Sequence, residues 1–165
     1  MKKFNILDII IVLVIVLCIA GVAFRFTSES GTKTNASKNF DYVVKIESVR
    51  MFSVEALQKS AETQSEIVDT ESETVCGRVY KIDYRPAKEA MALSDGTVKW
   101  VDVADRYDVY LYARTSGRVN QQGYKAENSR DVMIGKESYF TTQWSGFMGI
   151  IADVGENLEN NVYTE

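Results

Sequence analysis

Ile9 to Phe24 is a run of sixteen residues without a charged side chain, and it begins eight residues into a 165-residue chain. A helix rises about 1.5 Å per residue, so a hydrocarbon layer of roughly 30 Å takes about twenty mostly apolar residues. Extension to Phe4–Phe26 gives 23 residues, with Asn5, Asp8 and Arg25 near the ends, where polar groups reach headgroup level. Lys2 and Lys3 on the short N-terminal side favour a cytoplasmic N-terminus. The pattern predicts residues 1–26 as an N-terminal transmembrane anchor of a single-pass protein of the cytoplasmic membrane, N-terminus inside and C-terminal domain outside. The rival reading is a cleaved secretory signal, with Gly21-Val22-Ala23 as the small residues before a cut. Bulky Phe24 and the length of the run weigh against it. A pilin-like start (Phe4, then Asp8) lacks the small residue before the phenylalanine, where Lys3 stands.

Residues 27–39, rich in Ser, Thr, Lys and Asn, read as a flexible linker. Residues 40–154 then form an extracytoplasmic β-rich domain of ordinary single-domain size, and residues 155–165 a polar tail. From Thr27 onward there are 16 basic and 22 acidic side chains, so no basic stripe marks a nucleic-acid partner. The chain has no histidine, which removes Ser-His-Asp and Cys-His triads and histidine-ligated zinc. Cys18 falls in the apolar run and Cys76 in the domain, so the two form no ordinary intradomain disulfide; Cys76, between Val75 and Gly77, reads as a buried small hydrophobe.

Period-two alternation predicts strands over Asp41–Val49, Gly77–Tyr84 and Arg106–Arg114, and a last strand over Gly149–Val154. In the third, Tyr107, Val109, Leu111 and Ala113 take one face and Asp108, Tyr110, Tyr112 and Arg114 the other. Ser53 is expected to cap a short helical turn carrying Val54 and Leu57. Ser94-Asp95-Gly96 and Thr115-Ser116-Gly117 read as turns, and Pro86 as the end of the strand before it. Gly77-Arg78-Val79-Tyr80-Lys81-Ile82 and Gly149-Ile150-Ile151-Ala152-Asp153-Val154 share their spacing, and each follows a similar prelude and a good strand. The fold expected is mostly β, a small barrel or sandwich built from two similar interleaved β-units, with one N-terminal transmembrane helix.

The opening Asp8-Ile9-Ile10-Ile11-Val12-Leu13, the short spacer and the paired Gly-x-Val and Gly-x-Ile units resemble an uncharacterised bacterial family of single-pass membrane proteins, domain of unknown function 4330. The resemblance covers nearly the whole chain and implies a membrane-anchored protein of the cell envelope. It carries no assigned activity and no catalytic residue. This chain has Ser60–Thr63 where the first prelude would match the glycine of the second.

Three constellations bear on chemistry. Glu62, Glu66, Asp69, Glu71 and Glu73 form an acidic stretch, read as a solvated loop rather than a calcium site because the EF-hand spacing is absent. Asp102, Asp105 and Asp108 read as turn and strand-edge residues rather than an acid–base pair. Tyr110, Tyr112, Trp100 and Trp144 are the candidate ligand face, since flat rings beside polar groups suit stacking on sugars. Gln143 to Gly149 reads as a buried corner entering the last strand. No catalytic, cofactor-binding or metal residue is expected. The function expected is that of a non-enzymatic accessory or scaffold in a bacterial envelope assembly, with a glycan- or cell-wall-binding module as the alternative. The partners are then the membrane, through residues 4–26, and envelope proteins or glycans, not nucleic acid.

Overall fold

A computed structural model describes residues 15–17, 37–121, 123–128 and 130–158. The chain divides into two units, Met1–Asn35 and Ala36–Glu165. In the first, residues 15–17 are helical, and the rest of the expected anchor and most of the expected linker lie outside the described residues. Among the described residues no helix is long and apolar enough to cross a membrane.

The second unit is mostly β. Its strands are β1 (Lys38–Val49), β2 (Glu66–Asp69), β3 (Thr74–Ala92), β4 (Val98–Asn120), β5 (Gly123–Ala126), β6 (Asp131–Val132), β7 (Glu137–Thr141) and β8 (Gly146–Gly155), with helix α1 (Met51–Glu62) after β1. They make one antiparallel sheet in the order β1-β8-β7-β2-β3-β4-β5-β6, and a further β1–β4 pairing turns part of it into a ring that leaves β5 and β6 as an extension. The registers repeat. Lys45↔Ile150, Val44↔Ile151 and Tyr42↔Val154 between β1 and β8 correspond to Arg114↔Arg78, Ala113↔Val79 and Leu111↔Ile82 between β4 and β3. Asp41↔Arg114 and Lys45↔Tyr110, between β1 and β4, are the same pair seen from opposite strands.

Alternation fills the ring. Tyr42, Val44 and Ile46 of β1 and Val109, Leu111 and Ala113 of β4 meet Val79, Ile67, Phe140, Phe147 and Ile151 in one buried cluster, with Val54 and Leu57 of α1 packed into it. Each such side chain contributes roughly 1.5–3 kcal/mol by leaving water. Two glycines let strands approach: a Cβ on Gly77 would lie 2.5 Å from the Arg114 carbonyl oxygen, and one on Gly149 would lie 2.3 Å from Val44 Cγ1. These are the two glycines of the sequence repeat: Gly77 of β3 faces β4, and Gly149 of β8 faces β1.

Several local expectations are corrected. Over Gly77–Tyr84 the strict alternation breaks, because a bulge between Val79 and Lys81 puts Val79 and Ile82 on the core side together. Pro86 does not end its strand. β3 continues to Ala92, and between Pro86↔Tyr107 and Lys88↔Asp102 it advances two residues while β4 advances five, so the proline sits at a bulge, where a missing N–H is tolerated. Thr115-Ser116-Gly117 is not a turn but the interior of β4. A Cβ on Gly117 would lie 1.9 Å from the Lys125 carbonyl oxygen, so the glycine serves close approach of β5. Ser53 lies inside α1, whose N-cap is Arg50 without a side-chain cap bond; the Arg50 carbonyl accepts from Ser53 and Val54 N–H at 2.9 and 3.3 Å. Ser94-Asp95-Gly96 is the turn expected, with Thr97 N–H and hydroxyl donating to Asp95 Oδ1 at 2.9 and 2.6 Å and Gly96 at φ +84°.

Candidate functional site

Beyond Tyr107, β4 leaves β1 behind, and residues 88–102 of β3 and β4 continue as a two-stranded ribbon. Met91, Leu93, Val98 and Trp100 are exposed on it, Trp100 at 66 %. A two-stranded ribbon is marginal in water without something to pack against.

At the root of this arm begins an outer-face stripe of cations on tyrosines. Alternation places Asp108, Tyr110, Tyr112 and Arg114 on the face of β4 turned away from the core, and the β3 bulge sets Lys81, Asp83 and Arg85 beside them. Arg85 lies 5.1 Å from the centre of the Tyr110 ring, Lys81 4.6 Å from that of Tyr112, and Arg114 4.8 Å from that of Tyr80. Such contacts contribute about 0.5–1 kcal/mol each when exposed and more when water is excluded. Tyr110, Tyr112, Val43 and Leu158 form a second buried cluster here, with Tyr80 against it. Burial first, and a hydrogen bond to Asp83 second, push the Tyr112 phenol well above its ordinary pKa of 10.0.

Two clefts open at the ends of the stripe. At one, β3 and β4 part beyond the Arg78↔Arg114 pair, and a cleft of about 670 Å³ is lined by Asn39, Thr74, Arg78, Arg114, Ser116 and Asn128 among others. Arg114 is fixed there by buried Asp41, with Nε donating to Oδ1 at 2.7 Å and Nη2 to Oδ2 at 3.0 Å, while the Tyr80 hydroxyl and the Leu158 N–H also donate to Oδ2. Asn128 Nδ2 bridges the fork to the Val75 carbonyl at 2.9 Å. At the other end, a cleft of about 290 Å³ is lined by Lys45, Arg85, Pro86, Lys88, Trp100 and Asp108. The register repeat relates the two, since Asp108 and Lys45 hold the positions in one that Asn39 and Arg114 hold in the other.

A buried polar knot is joined to the first cleft through the hydroxyls of Ser72 and Thr74, 2.7 Å apart. Asp69, 1 % exposed, is ion-paired with Arg130; its Oδ2 accepts from the Ser138 hydroxyl at 2.6 Å and its Oδ1 from the Glu71 and Ser72 N–H groups at 2.9 Å each. Arg130 Nη2 donates to Ser138 Oγ at 2.9 Å, and its guanidinium lies over the Phe140 ring. The acidic stretch is therefore not uniformly solvated. Asp69 was hidden in it because Arg130, just before β6, and Ser138 of β7 lie some sixty or more residues on. Arg130 and Ser138 carried no spacing signal, and neither did Asp41 with Arg114.

Of the four residues on the candidate ligand face, Trp100 lines the smaller cleft, and Tyr110 holds Arg85 in that cleft by accepting from Nη2 at 2.6 Å. Tyr112 is buried under Lys81. Trp144 lies apart, in the β7–β8 turn, with Nε1 donating to Thr63 Oγ1 at 3.3 Å. That turn is a mixed corner: Phe147 enters the core while Trp144 and Met148 stay exposed. Asp102, Asp105 and Asp108 are not brought to one face, because the β4 bulge separates them and Asp105 takes φ +55°. Asp108 Oδ1 accepts from the Ser48 N–H at 3.0 Å. Cys76 is 2 % exposed, and burial pushes its thiol up, away from the thiolate. Among the described residues no three His, Cys, Asp or Glu side chains gather as a metal site. What the stripe and its clefts expose is hydrogen-bond donors, cations and the indole of Trp100, while the rings of Tyr110 and Tyr112 are buried.

No curated protein and no solved structure matches the chain. A family model described as a domain of unknown function, DUF4330, matches residues 1–155, nearly the full length and all eight strands. The chain therefore belongs to the DUF4330 family.

Proposed function

We propose that this is a single-pass membrane protein whose β domain stands outside a bacterial cytoplasmic membrane and acts without catalysis, as an accessory or scaffold in an envelope assembly. The observation that carries the reading is the arm of residues 88–102, which exposes Val98 and Trp100 on one face, opposite Ala92 and Ala90, and Met91, opposite Lys99, on the other. Exposed apolar side chains on both faces of a two-stranded arm mark contact with another surface. The apolar run Ile9–Phe24 supplies the tether and the location. We also read the ring as two copies of one β-unit, β1–β2–β3 and β4–β7–β8, on the strength of the repeated registers and the two matched glycines.

The test is photo-crosslinking of the full-length protein in its native membrane from a reactive residue at Val98. Expected is one dominant envelope protein in the adduct, lost when Met91 and Trp100 are changed to Glu. Adducts that are diffuse, or that survive those substitutions, would refute the scaffold. A second reading, glycan binding, is favoured by the cation–tyrosine stripe ending in a cleft walled by an exposed tryptophan.

A further inference from the structure

We propose that the cleft of Lys45, Arg85, Lys88 and Trp100 is a binding site for one acidic sugar ring, a uronate unit of a polysaccharide; this rests on the glycan reading above. Three cationic side chains and one carboxylate line it, and that carboxylate, Asp108, is already engaged by the Ser48 N–H at 3.0 Å. Lys45 is paired with Glu47 at 2.7 Å, and with that carboxylate counted beside Asp108 the three cations still outnumber the two acids, although the chain as a whole carries a net charge of -4. At physiological salt, fields are screened beyond roughly 8 Å, so an anion inside the cleft meets these five charged groups rather than the acids elsewhere on the chain.

Arg85 is held for the task. Its Nη2 donates to the Tyr110 hydroxyl at 2.6 Å and its guanidinium lies 5.1 Å from the centre of that ring, so its plane is set before a ligand arrives. A planar, pre-set guanidinium matches a carboxylate. Trp100, 66 % exposed, offers an indole face from the arm, on which the C–H side of a pyranose can stack. Lys88 stands next to the β3–β4 bulge, and Lys45 comes from β1 across from Tyr110, so the cations arrive from different strands. A volume of about 290 Å³ is at the small end for ligand cavities, which suits one ring rather than a length of chain. An acidic peptide could satisfy the cations, but its side chain would leave the indole face without a ring to cover it.

The test is calorimetric titration of the full-length protein in detergent with short oligogalacturonides, with neutral oligogalactosides of equal length and with oligoglutamate. Expected is binding of the oligogalacturonide alone, weakened at least about tenfold by Trp100→Ala and by Lys88→Gln and weakened again by added salt. Lys88 is exposed, so Lys88→Gln reads charge without disturbing the fold. Equal binding of neutral oligomer or of oligoglutamate, or undiminished binding by both variants, overturns the proposal. If purified wall polysaccharide is bound equally by wild type and both variants, the glycan reading stands and this cleft falls. If no saccharide is bound at all, both fall.

Discussion

Asp69 and Arg130 form an ion pair inside the molecule, their side chains only 1 % and 10 % exposed, and the pair ties the β2 end to the start of β6. A buried pair of this kind does little net work when intact, yet breaking it strands a charge in low dielectric. Asp69→Asn or Arg130→Met is expected to cost roughly 3–5 kcal/mol, read as a fall in the urea midpoint. The double change to apolar residues is expected to recover only part of that loss, because the Glu71 and Ser72 N–H groups also depend on Asp69 Oδ1. Full recovery would show that the loop bonds contribute nothing.

The core inside the ring depends on Leu111, fully buried between β1 and β3. Leu111→Ala is expected to cost about 2–5 kcal/mol through lost transfer energy and the cavity left behind. The cost is read as a fall in the thermal midpoint, which Val98→Ala on the arm should change hardly at all, since that side chain is already 64 % exposed.

Alkaline pH should unfold the domain in a specific way. Burial raises the phenols of Tyr42 and Tyr112 above the ordinary 10.0. A group that holds its proton more tightly when folded contributes stability that is complete below its unfolded pKa and is lost as pH rises through the folded value. The urea midpoint should therefore stay level up to about pH 9.5 and fall beyond pH 10. Tyr112→Phe should flatten that fall while leaving the neutral midpoint within about 1 kcal/mol. An unaltered alkaline fall in the variant would remove Tyr112 from the explanation.

Gly117 is expected to be irreplaceable for a different reason from Gly96. Its Cβ would meet the β5 backbone, so Gly117→Ala should release β5 and β6 and speed hydrogen exchange at Tyr124 and Lys125. Gly96 has open space and a φ of +84°, so Gly96→Ala costs only backbone strain, about 1 kcal/mol. Unchanged exchange at β5 in Gly117→Ala would contradict the close-approach assignment.

Much of the sheet was legible because burial on one face writes a period of two into the sequence. Tyr42, Val44, Ile46, Val109, Leu111 and Ala113 were placed correctly by that rule alone. The rule failed where ladders slip. The bulge after Val79 changed the phase of β3, and the larger one at Pro86 and Val103–Arg106 let a strand run past a proline into an arm. No local pattern announces such an insertion, because it is a property of the pairing between two strands. The outer face was half legible: Tyr110, Tyr112, Asp108 and Arg114 were grouped, but the burial of the two tyrosines follows from Tyr80, Lys81 and Leu158 closing over them. Asp69–Arg130 and Asp41–Arg114 could not be read, since charged residues at long separation pair only once the ring brings them together.

Both functional readings need the β domain on the outer side of the membrane, and one labelling measurement decides that. Ser94, at the tip of the arm, is changed to Cys in a full-length protein whose Cys18 and Cys76 are Ala, and intact cells are treated with a membrane-impermeant maleimide. The expected result is full labelling before lysis, unchanged by later permeabilisation. Labelling only after the cells are opened would place the domain in the cytoplasm and contradict the scaffold and the glycan readings together.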